Sequence, residues 1–175
     1  LATFNAGPYM EDLLRSLVTQ SRLPDEVIVS DDGSTDLTLE AVKGLASSAP
    51  FRVVIHSSEK QSGYTRNFER ALYSCSGDII FMCDQDDAWH PEKISRVLDR
   101  FETESDALLV IHDVNYCDAD LNRIGETKLE RLHRIGRKDD AFVTGMATAV
   151  KRELLDLALP VPVERGWTYD SWLHA

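Results

Sequence analysis

Basic residues are scarce in this sequence. Nineteen Lys and Arg face thirty Asp and Glu, which leaves the 175 residues at a formal charge of −11. Non-specific nucleic-acid binding needs a basic face that displaces counterions from phosphates, so this balance argues against it. Cysteine is scarce too. Cys75, Cys83 and Cys117 are odd in number and widely spaced. That pattern fits neither a disulfide scaffold nor a zinc site, and it suits a reducing compartment. No apolar run approaches the ~18–20 residues of a bilayer span, and no signal-peptide pattern opens the chain. Gly-x-Gly-x-x-Gly is missing, which disfavours a dinucleotide-binding dehydrogenase. Repeats, low-complexity tracts and linkers are missing as well. What is present is a 43% hydrophobic fraction over one domain's length, enough to bury a core.

Apolar periodicity divides the chain into alternating strands and helices. Leu1 to Asn5 reads as the tail of a buried strand running into a loop, and Trp172 to Ala175 as the first turn of a helix; both edges look incomplete. After Gly7-Pro8, Met10, Leu13, Leu14 and Leu17 recur at helical spacing. Val27-Ile28-Val29 is a β-branched run of the buried-strand kind, and Phe51 to Ile55 is another strand candidate. Leu39, Val42 and Leu45 suggest a helix between them. Tyr64, Phe68, Ala71, Leu72 and Cys75 mark a helix that Ser76-Gly77 ends. Asp78 to Cys83 is a strand, and Ile94, Val97, Leu98 and Phe101 give a helix opened by Pro91. Ala107 to Ile111 is the next strand. Cys117 to Asp140 is polar and poorly periodic and reads as irregular. Phe142 to Gly145 reads as a strand and Arg152 to Leu159 as a helix. This alternation implies an α/β fold with a mainly parallel sheet, whose ligands bind beyond the carboxyl ends of the strands.

Two acidic clusters fall in those positions. Asp84-Gln85-Asp86-Asp87 places three carboxylates in four residues directly after an apolar strand. Such groups repel unless screened, and hard divalent cations prefer carboxylate oxygens completed by substrate phosphates. The plainer reading is a solvated turn capping the helix near Pro91. Ser30-Asp31-Asp32-Gly33-Ser34-Thr35-Asp36 suits a nucleotide site, with a carboxylate accepting from base or ribose; it suits a capped strand-to-helix turn equally well. A calcium loop fails, because the EF-hand register and its terminal Glu are missing. Asp170, flanked by Tyr169 and Trp172, is either a desolvated general base or a helix cap. Trp89, Trp167 and Trp172 have a bland reading as core or cleft wall; His112, next to Asp113 near a strand end, could lie beside the site, and a metal role for His112 or His174 is disfavoured.

Taken together these segments resemble the family 2 glycosyltransferases, inverting enzymes with the GT-A nucleotide-diphosphosugar-binding fold. Thr3-Phe4-Asn5 is similar to the family's Thr-Tyr-Asn after its first strand, with Phe4 in place of Tyr. VIVSDDGSTD, Val27 to Asp36, is close to the family consensus. FMCDQDD with Trp89 following resembles the metal-binding Asp-x-Asp segment in its bacterial, rhamnosyltransferase-like form. Tyr169-Asp170-Ser171-Trp172 sits where the family has its catalytic acid-Asp or His-Asp pair. Tyr169 stands where His or Glu is common, and Gln61 where Asn often precedes the Gly.

The resemblance covers essentially the whole chain. It implies one GT-A domain over 1–175, lacking its first strand and its C-terminal part. Residues 1–100 would form the nucleotide-binding half and 101–175 the acceptor side. It further implies that Thr3, Asn5, Asp31, Asp32, Arg66, Asn67, Asp84 and Asp87 bind the donor, and that Asp86 with Asp84 holds Mg²⁺ or Mn²⁺. Gly145, Met146 and Trp172 would border the acceptor, and Asp170 would be the base. Gly145 could equally be a turn requirement, and Asn67 plain helix surface. The implied donor is a UDP-, dTDP- or GDP-sugar and the implied acceptor a saccharide or a lipid-linked saccharide. The implied setting is bacterial surface-polysaccharide synthesis in the cytoplasm, with the inner membrane face as a variant. Two rivals stand beside this reading. One is a GT-A domain that binds but does not turn over. The other is a HAD-type phosphatase, whose Asp-x-Asp follows the first strand rather than several strand–helix units.

Overall fold

The computed structural model describes the backbone of residues 1–175 and every side chain except that of Asp140. The chain opens with a two-residue strand β1 (Ala2–Thr3) and a short 3-10 turn at Gly7–Tyr9 carrying Pro8. Helix α1 (Met10–Val18) then turns Met10, Leu13 and Leu17 inward. Strand β2 (Glu26–Asp31) is buried at every position but its first. Helix α2 (Thr38–Ser48) follows, its first N–H and the Thr38 hydroxyl satisfied by Asp36. Strand β3 (Arg52–Ser57) leads to helix α3 (Tyr64–Ser74), entered through Gly63 at φ 88°, a left-handed dihedral that favours glycine. Strand β4 (Ile79–Phe81) and helix α4 (Lys93–Thr103) flank the acidic turn.

The second half holds β5 (Leu109–Ile111), β6 (Asn115–Cys117), β7 (Arg123–Thr127) and α5 (Lys128–Arg134). After these come β8 (Thr148–Lys151), α6 (Arg152–Ala158) and α7 (Tyr169–Leu173). Two expectations need correction. The stretch from Cys117 to Asp140, read as irregular, contains most of a β6–β7 hairpin and the helix α5. The strand expected at Phe142 to Gly145 forms instead at Thr148–Lys151, because Gly145–Ala147 is a 3-10 turn.

β1, β2 and β3 form a parallel sheet in that order, with Ala2 opposite Ser30 and Val29 opposite Ile55. β4, β8 and β5 form a second sheet, antiparallel throughout, with β8 in the middle. The parallel ladder is therefore confined to the first sheet and its covering helices. One apolar cluster joins Met10, Leu13, Val29, Val42, Trp89 and Ile94 across the first sheet. Another joins Phe68, Leu72, Met82, Val150, Leu155 and Tyr169 across the second. Each such fully buried side chain contributes ~1.5–3 kcal/mol relative to exposure, which is ample to fix the sheet positions. What matters for function is where the strands end. The carboxyl ends of β1, β2 and β4 open on the same side, and α7 closes over them through its packing on α3.

Candidate active site

A cleft of about 320 Å³ lies at those strand ends. Thr3 and Phe4 enter it from β1, Asp32 from just past β2, and Asp84, Gln85 and Asp86 from the turn after β4. Tyr64, Asn67 and Phe68 come from α3, and Tyr169 and Asp170 from α7. Segments from both ends of the chain and from its middle thus converge on one cleft.

The two adjacent acids of the β2 turn point to different places. Asp31 is fully buried and accepts from Thr3 Oγ1 (2.8 Å), Gly33 N (3.1 Å), Ser34 N (2.9 Å) and Ser34 Oγ (2.5 Å). Its carboxylate is used up inside the fold and does not reach the cleft. Asp32 does reach it, and is held by the N–H groups of Ser62 and Gly63 and by the Ser62 hydroxyl. Asn5 accepts from Thr35 N through its side chain (2.9 Å), so it ties the β1 loop to the β2 turn rather than lining the cleft.

Behind these acids stands Arg70, which sequence reasoning missed. Its guanidinium donates to Ser30 Oγ (2.7 Å), Asp31 O (2.8 Å) and Asn67 Oδ1 (2.8 Å), and lies 3.7 Å from Asp32. The planar fork spans three acceptors that a lysine could not satisfy together. Its signal was its spacing, three residues after Asn67 on one helix face. Asn67 donates to Thr3 O (3.1 Å) and is buried, so it is a strut of the cleft wall, not helix surface. Arg66 pairs with Glu69 and is outside the cleft.

In the acidic turn, Gln85 faces the backbone of Phe4. Phe4 N donates to Gln85 Oε1 (2.7 Å) and Gln85 Nε2 donates to Phe4 O (3.2 Å). Asp84 accepts from the Tyr169 hydroxyl at 3.2 Å, and burial pushes its pKa up, opposed by that hydrogen bond and reinforced by Asp86 and Asp170. Asp86 is exposed. Asp87 lies outside the cleft, its Oδ2 buried and without a partner among the described residues. Burial, then Asp84 and Asp86, push it to about 7. Lys93 is nearby, buried, lowered to about 8 by burial, seated 3.8 Å over the Trp89 ring and donating to Met146 O (2.7 Å). Met146 is therefore a backbone anchor for Lys93, and Gly145 packs under Tyr169; neither lines the cleft.

Asp170 opens α7 inside a capping box made by Thr168 and Ser171. Its Oδ1 accepts from Thr168 Oγ1 and from Ser171 N (2.8 Å), while Oδ2 has no hydrogen bond among the described residues. The helix cap is Thr168 and not Asp170, whose carboxylate stands in the first turn and lines the cleft. Trp172 donates to Ala158 O (2.6 Å) and packs on Trp167, which makes it scaffold.

Among the described residues no cluster of three or more His, Cys, Asp or Glu is assembled for a metal. Asp84 and Asp86 supply two cleft carboxylates, the number Mg²⁺-type sites use when substrate phosphates complete them. The donor set therefore fits a divalent cation that shares its ligands with a diphosphate. No helix among the described residues is long and apolar enough to cross a membrane.

Comparison with known proteins gives the family and the fold. The model of the glycosyl transferase family 2 matches residues 1–157, and the chain belongs to that family. It is similar to the dTDP-rhamnosyl transferase RfbG of Shigella flexneri, 32% identical over 103 residues, 57% of this chain and 36% of that one. Among solved structures it superposes on Staphylococcus aureus TarS in complex with UDP with a TM-score of 0.77. The sequences there are 20% identical, covering 99% of this chain and 52% of TarS. It also superposes on the mannosyltransferase PcManGT of Pyrobaculum calidifontis, in complex with GDP-Man and Mn²⁺. That TM-score is 0.66 at 23% identity, covering 89% and 44% of the two chains. The chain thus spans just over a third of the curated relative and about half of each structure. Family membership sets the phosphatase reading aside.

Proposed function

We propose that this domain transfers a sugar from a nucleotide-diphosphosugar to an acceptor hydroxyl, with inversion, using Asp170 as general base and a divalent cation. The observation that carries the reading is the shared cleft: Asp32 and Asp84–Asp86 face the same space as Asp170. In this reading residues 1–100 hold the nucleotide, with Asp32, Thr3 and Asn67 around the nucleoside and Asp84 near the ribose or sugar. The acceptor enters past α7. Asp170 Oδ2 takes the acceptor proton while the hydroxyl oxygen bonds to the anomeric carbon and the carbon–phosphate oxygen bond breaks. A single displacement of this kind needs one base and inverts the centre. A bound Mg²⁺ or Mn²⁺ on Asp86 and Asp84 would act as Lewis acid toward the departing diphosphate. Oδ1, fixed by Thr168 and Ser171, keeps Oδ2 aimed.

The complexes of TarS with UDP and of PcManGT with GDP-Man and Mn²⁺ support a nucleotide donor and a cation. The rhamnosyl transferase relative supports a dTDP-sugar among the candidate donors. We propose a saccharide or lipid-linked acceptor, and place the reaction in the cytoplasm, at or near the inner membrane face. The test is a panel of UDP-, dTDP- and GDP-sugars on the full-length protein, with Mn²⁺ or with EDTA. Transfer is expected with one donor, lost in EDTA, and lost in Asp170→Asn with donor binding retained. Full activity of Asp170→Asn would sink the base assignment. EDTA-insensitive transfer would sink the cation. Stabilisation by nucleotide with no transfer would mark a binding domain instead.

A further inference from the structure

Tyr169 is the buried group in the cleft to which the mechanism above gives no task. It is 3% exposed and immediately precedes the proposed base. Its ring stacks on Phe68 with centroids 3.8 Å apart and planes 20° apart, and meets the Tyr64 ring edge-on at 6.3 Å. On its remaining side lies Gly145. A Cβ on Gly145 would fall 1.9 Å from the Tyr169 hydroxyl oxygen and 2.7 Å from Cζ, distances no real side chain adopts. The ring is therefore held on three sides, and its hydroxyl is delivered to one acceptor, Asp84 Oδ1 at 3.2 Å.

We propose that Tyr169 is a positioning residue: it fixes the Asp84 carboxylate by holding Oδ1, leaving Oδ2 for the cation and donor, and Gly145 is glycine to make room for it. This rests on the reading of Asp84 as a donor-site and cation ligand. Three facts favour positioning over packing. The hydroxyl is directed at the first acid of the turn, not at solvent. The Asp84 carboxylate accepts from no other donor among the described residues, so without the phenol it would be free to rotate toward or away from the cleft. Outer hydrogen bonds of this kind orient ligating carboxylates, and losing one typically costs roughly 10–100-fold in metal affinity or activity. Tyr169 also adjoins Asp170 on α7. The ring thus links the element carrying the base to the turn carrying the cation ligands.

The decisive variant is Tyr169→Phe, which keeps the stack on Phe68 and removes only the hydroxyl. On the full-length protein with UDP present, Mn²⁺ affinity measured by electron paramagnetic resonance titration should fall roughly tenfold. The Mn²⁺ concentration for half-maximal transfer should rise in step, while acceptor KM and the thermal midpoint stay near wild type. Gly145→Ala, which drives the ring off Asp84, should show the same loss of Mn²⁺ affinity; should it fail to fold, Tyr169→Phe still decides. Wild-type Mn²⁺ affinity in a folded Tyr169→Phe protein overturns the positioning role and leaves the catalytic reading standing. A wild-type protein that binds no Mn²⁺ with nucleotide overturns both.

Discussion

At the scale of single residues, neighbours in sequence turn out to do unlike work. Asp31 and Asp32 are indistinguishable as letters, both acids in one turn. On an extended backbone successive side chains point to opposite faces. Asp31 consequently caps its own turn, while Asp32 crosses to the Ser62–Gly63 loop at the cleft. The choice depended on Thr3 and Ser34 standing on one side, which no local pattern records. The same holds for Arg66 and Arg70, where the residue four further along meets the β2 end. His112 supplies a measurable case. Its Nδ1 donates to Asp113 O (2.8 Å), which leaves Nε2 bare and buried. Burial, with Lys93 nearby, lowers its pKa from 6.5 to about 4. Between these values the unfolded chain binds more protons than the folded one. The His112 contribution to stability is therefore complete above pH 6.5 and lost as pH falls toward 4. His112→Gln should show a smaller drop in thermal midpoint between pH 7 and pH 5 than wild type; an equal drop would assign the titration elsewhere.

At the scale of elements, legibility tracked burial. β2, α3 and α4 were visible because their apolar residues repeat at the spacing of the face they bury. The β6–β7 hairpin was not, since β6 is exposed along its length and α5 buries no side chain. An element that hides nothing from water needs no apolar period, so none is written. α5 is instead made by its capping box: the Thr127 hydroxyl accepts from Glu130 N, and the Glu130 carboxylate accepts from Thr127 N. β8 was misplaced for a different reason: it is buried, but four residues of which Ala149 and Val150 are the apolar pair leave too short a signal. Elements held mainly by their own hydrogen bonds open at low cost. Hydrogen exchange should therefore be much faster in α5 and the hairpin than in β2 and β8. Protection of α5 equal to that of β2 would show that something further covers it.

At the scale of the molecule, the charge of −11 and the acid-lined cleft act together. A metal-free nucleoside diphosphate approaches the negative cleft of a negative protein, and salt screens that repulsion. Raising salt from about 0.02 to 0.2 M should therefore tighten metal-free UDP binding. With Mn²⁺ present the local repulsion is answered by the cation, and the salt effect should vanish or reverse. Isothermal titration under both conditions reads the difference, and weakening by salt in both would mean that a basic group dominates the cleft. The α/β class, the order of motifs and the convergence on one cleft were open to reading in the sequence. The separation into a parallel and an antiparallel sheet was not, because strand direction follows from the connections between strands and not from their composition.

The amide of Gln85 has a consequence of another kind. Phe4 meets in that side chain the pattern of a peptide group, one N–H and one carbonyl at backbone distances. Glutamine and asparagine are the side chains that carry an amide N–H and a carbonyl together, and asparagine is one methylene shorter. Amides also age by hydrolysis to acids, which makes them thermolabile. At Gln85 that slow chemistry would replace the donor to Phe4 O by a second oxygen and add a fourth negative charge to the turn. Deamidation at this one uncharged residue among the acids would thus loosen the cleft without touching any of its carboxylates.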